Sequence, residues 1–161
     1  AFARQAHYGF GMRVLYSART PRSDETLQGL PARYCSLSEL LAASDFVSLH
    51  CPASPETHHL INAQSLALMK PTAHLINTAR GDVVNEADLA DALQHGVIAG
   101  AGLDVYEAEP MVTPGLLDLP NVVLLPHMGS GTTQTRVAMG ECAMANIRAF
   151  SNGQALLNQV V

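Results

Sequence analysis

The sequence predicts an α/β protein built on a doubly wound parallel sheet, and three observations carry that expectation. Short apolar runs of strand length alternate with segments of helical spacing along the 161 residues. The runs are nearly continuous in apolar residues rather than alternating, as in parallel strands covered on both faces. The segments between them begin and end on capping residues.

The elements follow in order. Residues 1–9 (AFARQAHYG) open directly in helical sequence, with no Met before Ala1. Residues 12–16 (MRVLY) make the first strand-like run and residues 46–50 (FVSLH) the second. Between these two, Ser36 with Glu39 three positions later forms a capping box that opens a helix through Ala43. Asn62 can cap the next helix, expected to run to about Lys70 and stop before Pro71. Residues 73–77 (AHLIN) form the third run. Asn85 then caps a helix with Glu86 and Asp88 in its first turn and Gly96 just past its end. Residues 97–105 (VIAGAGLDV) and 122–125 (VVLL) complete the strands. Thr132 or Thr133 starts the last long helix, which ends near Asn152 and Gly153. Val137, Ala138, Cys142, Ala145 and Phe150 recur there at helical spacing, so their face is expected to be packed.

Composition narrows the function. With 48% apolar and 14% charged residues, the chain is expected to be globular rather than disordered. The net charge is −5, and the densest basic stretch, residues 19–22, holds two arginines: enough for one phosphate, too few for a nucleic-acid surface. Cys35, Cys51 and Cys142 are odd in number and contain no CxxC, which points to reduced thiols in the cytoplasm, each expected as a small buried hydrophobe. No run of about 18 apolar residues and no basic-then-apolar leader occurs, so neither a membrane span nor a signal peptide is expected. In open parallel sheets ligands bind beyond the carboxyl ends of the strands, which is where functional residues are to be sought.

Four motifs stand at those ends. They are His50-Cys-Pro-Ala-Ser-Pro-Glu-Thr57, Asn77-Thr-Ala-Arg-Gly81, Gly102-Leu-Asp-Val-Tyr-Glu-Ala-Glu-Pro110 and Pro126-His-Met-Gly-Ser-Gly-Thr132. In this order and at these spacings the chain resembles the D-isomer-specific 2-hydroxyacid dehydrogenase family, in its glyoxylate/hydroxypyruvate reductase branch. The resemblance extends through the closing Asn158-Gln-Val-Val161. It departs at the start: the family's GxGxxG turn is nowhere in the chain and would fall just before Ala1. The resemblance therefore implies a Rossmann-like domain over residues 1–152, truncated at its N-terminus and lacking its first strand and GxGxxG turn. Residues 153–161 would be a tail returning to a substrate domain that the family's N-terminal half contributes. In the strand order 3-2-1-4-5-6 the absent strand is central, so both its neighbours would have open edges.

Reducing a 2-oxo acid requires a hydride donor, a cation for the carboxylate, polarisation of the carbonyl and a proton for the alkoxide. The resemblance makes Arg80 the substrate-binding arginine, and a guanidinium fork suits a carboxylate with its adjacent carbonyl. It makes His127 the general acid, a task an imidazole suits near neutral pH, and Glu109 the carboxylate that orients it. Glu107 is expected to be exposed. Asp104 resembles the residue that receives the nicotinamide amide, with Thr78, Ala79 and the turn at Gly129 completing that pocket, against which Arg80 and His127 also lie. His50, Cys51, Pro52 and Thr57 resemble the adenine and ribose wall. After the first strand, Ser17-Ala-Arg-Thr-Pro-Arg22 places Ala18 where NAD-binding domains carry an acid. Arg19, Thr20 and Arg22 would instead hold a 2′-phosphate, favouring NADP with NAD as the alternative. His7, His58, His59, His74 and His95 are read as structural or solvated, and no metal is expected.

Other readings stay open. Related dinucleotide-sensing corepressors would make the chain a binding module, and a truncated product could be inert. Glu109 argues against the formate branch, which resembles this pattern with Gln there, and phosphoglycerate dehydrogenases generally favour NAD. The resemblance implies a homodimer and a small 2-oxo or 2-hydroxy acid as partners, with neither nucleic acid nor membrane.

Overall fold

A computed structural model describes residues 1–160 and divides the chain into two compact units, the second beginning at His127. Val161, the last residue of the closing segment, lies outside the described residues.

The first unit alternates helix and strand. Helix α1 (Phe2–Phe10) leads into β1 (Val14–Tyr16), α2 (Asp24–Leu27), β2 (Ala32–Tyr34) and α3 (Leu37–Ala43). Next come β3 (Phe46–Leu49), α4 (Ala63–Leu66), β4 (His74–Asn77), a 3-10 turn (Gly81–Val83) and α5 (Glu86–Gln94). The unit closes with β5 (Gly100–Leu103), α6 (Pro114–Leu117) and β6 (Val122–Leu124). Ser36 and Glu39 exchange both bonds of the capping box, and Asn62 and Asn85 cap α4 and α5 as expected. Gly96 adopts φ 67° beyond α5, the left-handed stop that glycine permits. Helix α4 ends at Leu66 rather than near Lys70, because Leu68 and Met69 donate to Ser65 and Leu66 in three-residue turns that break the α pattern. Strand β2 and the one-turn helices α2 and α6 were not anticipated from the pattern.

The strands form two parallel sheets, β1-β2 and β3-β4-β5-β6. Their register sorts the four-stranded sheet into two faces. Val47, Leu75 and Ala101 form one row and Leu49, Asn77 and Leu103 the next row on the same face, and all six are buried. The core builds on this side, around Leu41, Ile61, Leu66, Leu89, Ile98 and Leu116, each at most 1% exposed. Full burial of a side chain of this size contributes about 2 kcal/mol. The opposite face carries Ser48, Ile76 and Gly102, half-buried, and Val123, exposed. Two-sided burial, expected from the apolar runs, is thus reached on one face only.

Among the described residues β1 pairs only with β2, and β3 only with β4, so each presents an unpaired edge. Phe46 on the β3 edge is 54% exposed.

The second unit is dominated by α7 (Thr133–Ser151), capped by the Thr132 hydroxyl. Its face is not packed as expected: Val137, Cys142 and Phe150 are exposed, and among its described residues only Ala149 is buried. Cys142 likewise departs from the expectation of a buried thiol, whereas Cys35 is buried and Cys51 half-buried. Among the described residues no helix is long and apolar enough to cross a membrane.

With two open edges and one uncovered sheet face, the isolated chain is expected to self-associate and to unfold over a broad range. Light scattering and calorimetry on the purified 161-residue chain test this; a monomer with a sharp cooperative transition would contradict it.

Candidate active site

Parallel pairing in one register brings the carboxyl ends of β3, β4, β5 and β6 to the same edge. The loops after β3, β4 and β5 rise there. The loop after β4 is shaped by Asn77, the last residue of the strand and only 1% exposed. Its side-chain oxygen accepts the Ala79 N–H at 3.0 Å, and its amide donates to the Arg80 carbonyl at 2.9 Å. A buried amide satisfied by the next three residues closes Thr78, Ala79 and Arg80 into a tight turn. Arg80 is exposed at its tip, with Nη1 donating to the Ala79 carbonyl at 2.6 Å. Among the described residues no carboxylate pairs with its fork.

Gly81 follows, where the turn meets the loop after β5. A Cβ on Gly81 would lie 1.9 Å from the Tyr106 carbonyl carbon and 2.4 Å from the Glu107 nitrogen. The two loops touch backbone to backbone, which a larger residue forbids.

The loop after β5 begins at Asp104, 6% exposed, whose N–H donates to the Asn77 carbonyl at 2.9 Å. The Tyr106 hydroxyl donates to the Leu125 carbonyl at 2.7 Å, and burial pushes its phenol up, keeping it a neutral donor. Glu109 is exposed, and its Oε1 accepts the Tyr106 N–H at 3.0 Å. The Glu109–Pro110 bond is cis. Glu107 is not exposed as expected. Its side chain is 28% accessible and pairs with His59, Nε2 to Oε1, at 2.5 Å.

His127 opens the second unit with φ 53°. A non-glycine residue held in the left-handed region costs about 1–3 kcal/mol, and such strain gathers at functional positions. Just beyond it the Gly131 N–H donates to the Met128 carbonyl at 2.7 Å, curling the Met128–Gly129 turn ahead of the Thr132 cap. Arg80 and Glu109 belong to the first unit.

The loop after β3 and, in the separate two-stranded sheet, the loop after β1 remain. After β1, the Tyr16 hydroxyl accepts the Arg22 N–H at 2.9 Å and the Tyr34 hydroxyl donates to the Ala18 carbonyl at 3.2 Å. The two rings meet at 5.5 Å. Two tyrosines on neighbouring strands thus hold the turn of Ser17, Ala18, Arg19 and Thr20. Arg19 and Arg22 are exposed, and among the described residues neither guanidinium is ion-paired. After β3, the Thr57 hydroxyl donates to the Pro52 carbonyl at 2.7 Å and accepts the Ser54 N–H at 2.9 Å. His50 bonds Ser48 at 3.0 Å and rests against Phe2, ring centres 5.4 Å apart. Burial pushes the Cys51 thiol up. The Ser54 hydroxyl beside Glu56, then its own backbone N–H, holds that carboxyl below its usual range, and Arg19 adds to the effect. Arg19 and the loop after β3 therefore lie within electrostatic reach of each other.

Every cofactor-side residue expected from the sequence in the first unit lies in one of these strand-end loops. Sequence reasoning missed the part played by Asn77, His59 and Glu86. Glu86 signals itself only as an acid in the first turn of α5, and its partner Glu107 is 21 residues away.

Residues 1–129 match the family model described as D-isomer specific 2-hydroxyacid dehydrogenase, NAD binding domain. A glyoxylate/hydroxypyruvate reductase B of Pectobacterium carotovorum subsp. carotovorum is 52% identical over 161 residues, covering 99% of this chain and 50% of that protein. Among solved structures, holo D-mandelate dehydrogenase of Rhodotorula graminis superposes with a TM-score of 0.92 at 38% identity, over 98% of this chain and 46% of that one. An NADPH-dependent glyoxylate/hydroxypyruvate reductase of Sinorhizobium meliloti, solved with NADP and malonate, gives 0.88 at 40% identity over 95% and 47%. The chain spans about half the length of the curated relatives it matches.

Gly81→Ala is expected to cost about 3 kcal/mol or more, since backbone rather than a flexible side chain fills the space; chemical denaturation measures it, and a loss under 1 kcal/mol would contradict the contact. In the native chain Cys142 should react first with a thiol reagent and Cys51 only at distinctly alkaline pH, because its raised pKa withholds the thiolate. Fast labelling of Cys51 at neutral pH would refute that order.

Proposed function

Because this chain belongs to the D-isomer specific 2-hydroxyacid dehydrogenase family through its NAD binding domain, we propose that it is the dinucleotide-binding part of a reductase. The reaction is reduction of a small 2-oxo acid, glyoxylate or hydroxypyruvate, to the D-2-hydroxy acid with NADPH. The observation that carries this reading is the Asn77-built turn, which presents Arg80 beside a loop that holds Asp104 and Glu109.

The donor set suits a phosphorylated dinucleotide. Ala18 puts no carboxylate where a 2′-phosphate would be repelled, and Arg19 and Arg22 are exposed without ion pairs among the described residues. These two, with Thr20, would take the phosphate, and Ser17 and Ala18 would line the same turn; NAD is the poorer fit. His50, Cys51, Pro52 and Thr57 would wall the adenine and ribose, and Thr78, Ala79, Asp104 and the Gly129 turn the nicotinamide. When bound, the dinucleotide supplies the hydride. The Arg80 fork would hold the substrate carboxylate and polarise its carbonyl. His127 would deliver the proton to the new alkoxide, with Glu109 as the carboxylate that orients its imidazole. Residues 1–152 would form the dinucleotide domain and residues 153–161 a tail to a substrate domain. The assembled enzyme would be a homodimer of the cytoplasm.

The test joins the chain to the N-terminal half of the Pectobacterium relative and assays a panel of 2-oxo acids with NADPH and NADH. Glyoxylate or hydroxypyruvate should turn over faster with NADPH. His127→Ala should lower kcat by about 100-fold or more, and Ala18→Asp should shift preference toward NADH. A folded chimera that binds dinucleotide without turnover would replace the enzyme reading by a binding module; native preference for NADH would sink the phosphate assignment alone.

A further inference from the structure

Behind the loops of Arg80 and Glu109 lies a group of acids with no part in the chemistry above. Glu86 is a carboxylate only 2% exposed. Its Oε1 accepts the Glu107 N–H at 2.9 Å, and the Glu107 Oε2 accepts the Glu86 N–H at 2.9 Å. The two residues thus clasp each other backbone to side chain in both directions. Each has one oxygen left. That of Glu86 accepts the Thr113 hydroxyl, and that of Glu107 meets His59 Nε2 at 2.5 Å. His59 is the one basic side chain paired with either acid among the described residues.

The clasp spans four segments of chain, and its backbone anchors reach the Arg80 turn. The His59 N–H donates to the Asp82 carbonyl at 2.8 Å, and the Ile61 N–H to the Val83 carbonyl at 3.0 Å. His59 holds φ 49°, a conformation that a non-glycine residue keeps only when its surroundings enforce it. On the other side Glu107 adjoins Tyr106, whose N–H holds Glu109 and whose backbone abuts Gly81. A carboxylate taken from water, as that of Glu86 is, must keep every such bond or lose the geometry that satisfies it.

We infer that Glu107 is a positioning residue that, clasped to Glu86 and paired with His59, sets the Arg80 turn and the Glu109 loop at one fixed spacing. The role rests on the dehydrogenase reading for its catalytic meaning, but the coupling of the two loops stands on geometry alone. Glu107 touches neither substrate nor cofactor; it acts through its neighbours.

Hydrogen exchange by mass spectrometry on the 161-residue chain tests the coupling directly. Glu107→Ala should speed exchange about tenfold or more in residues 78–84 and 104–110 together, leaving β4 and β5 unchanged. Glu107→Gln, which keeps the shape and can still bond both neighbours, should restore most of the protection. Acceleration of one loop alone, acceleration throughout the sheet, no rescue by Gln, or loops already unprotected in the native chain would each overturn the inference. In the chimera, Glu107→Ala should lower kcat and raise KM for the 2-oxo acid; a change confined to the NADPH KM would also overturn it. Absence of turnover in the native chimera would defeat the dehydrogenase reading and leave exchange to decide the coupling.

Discussion

Parallel pairing in a single register is the constraint from which the site follows. Once Val47, Leu75 and Ala101 align, and Leu49, Asn77 and Leu103 with them, every strand of the four ends at one edge. The loops after β3, β4 and β5 must then share that edge, whatever their separation along the chain. Local chemistry shapes them: the Asn77 amide closes the turn under Arg80 and Thr57 staples the loop after β3, while in the other sheet two tyrosines pin the turn after β1. The absence of a Cβ at Gly81 lets two of these loops meet at backbone distance.

The two faces of the same sheet are covered unequally. One face carries a core with several side chains at zero exposure, while the other leaves Ile76 half-buried and Val123 63% exposed. Three-residue strands paired as an isolated ribbon, as β1 and β2 are, have little independent stability. Helix α7 presents Val137, Met144, Ile147 and Phe150 to solvent, none less than 49% exposed. Apolar surface of this kind is ordinarily covered, and the chain spans about half the length of its curated relatives.

Much of the fold was legible because its signals are local. The Ser36–Glu39 box and the asparagine caps act over four residues or fewer and the apolar runs over nine or fewer, and the structure has helices and strands at these places. Strand β2 escaped because Ala32, Arg33 and Tyr34 form no apolar run. Helices α2 and α6 are single turns, too short for a period to show. The expected packing of α7 failed for a different reason. Helical spacing marks a face that is able to pack, and a neighbouring surface decides whether it does. Residue type in the strand-end motifs is equally local, so Arg80, Asp104, Glu109 and His127 stand out in the sequence.

Glu107 marks the boundary between the two kinds of information. As a charged residue between Tyr106 and Ala108 it read as solvated, since nothing within a few positions offers it a partner. Its partners are His59, 48 residues earlier, and the amide of Glu86, 21 residues earlier. Sequence alone set what is local: which segments are strands or helices, where helices start, and which side chains stand at strand ends. Pairing across long separations, the burial of a carboxylate, the sidedness of the sheet and the close approach of Gly81 to Tyr106 emerged only on folding. They depend on distances between segments, and a chain acquires those distances when its strands take up a common register.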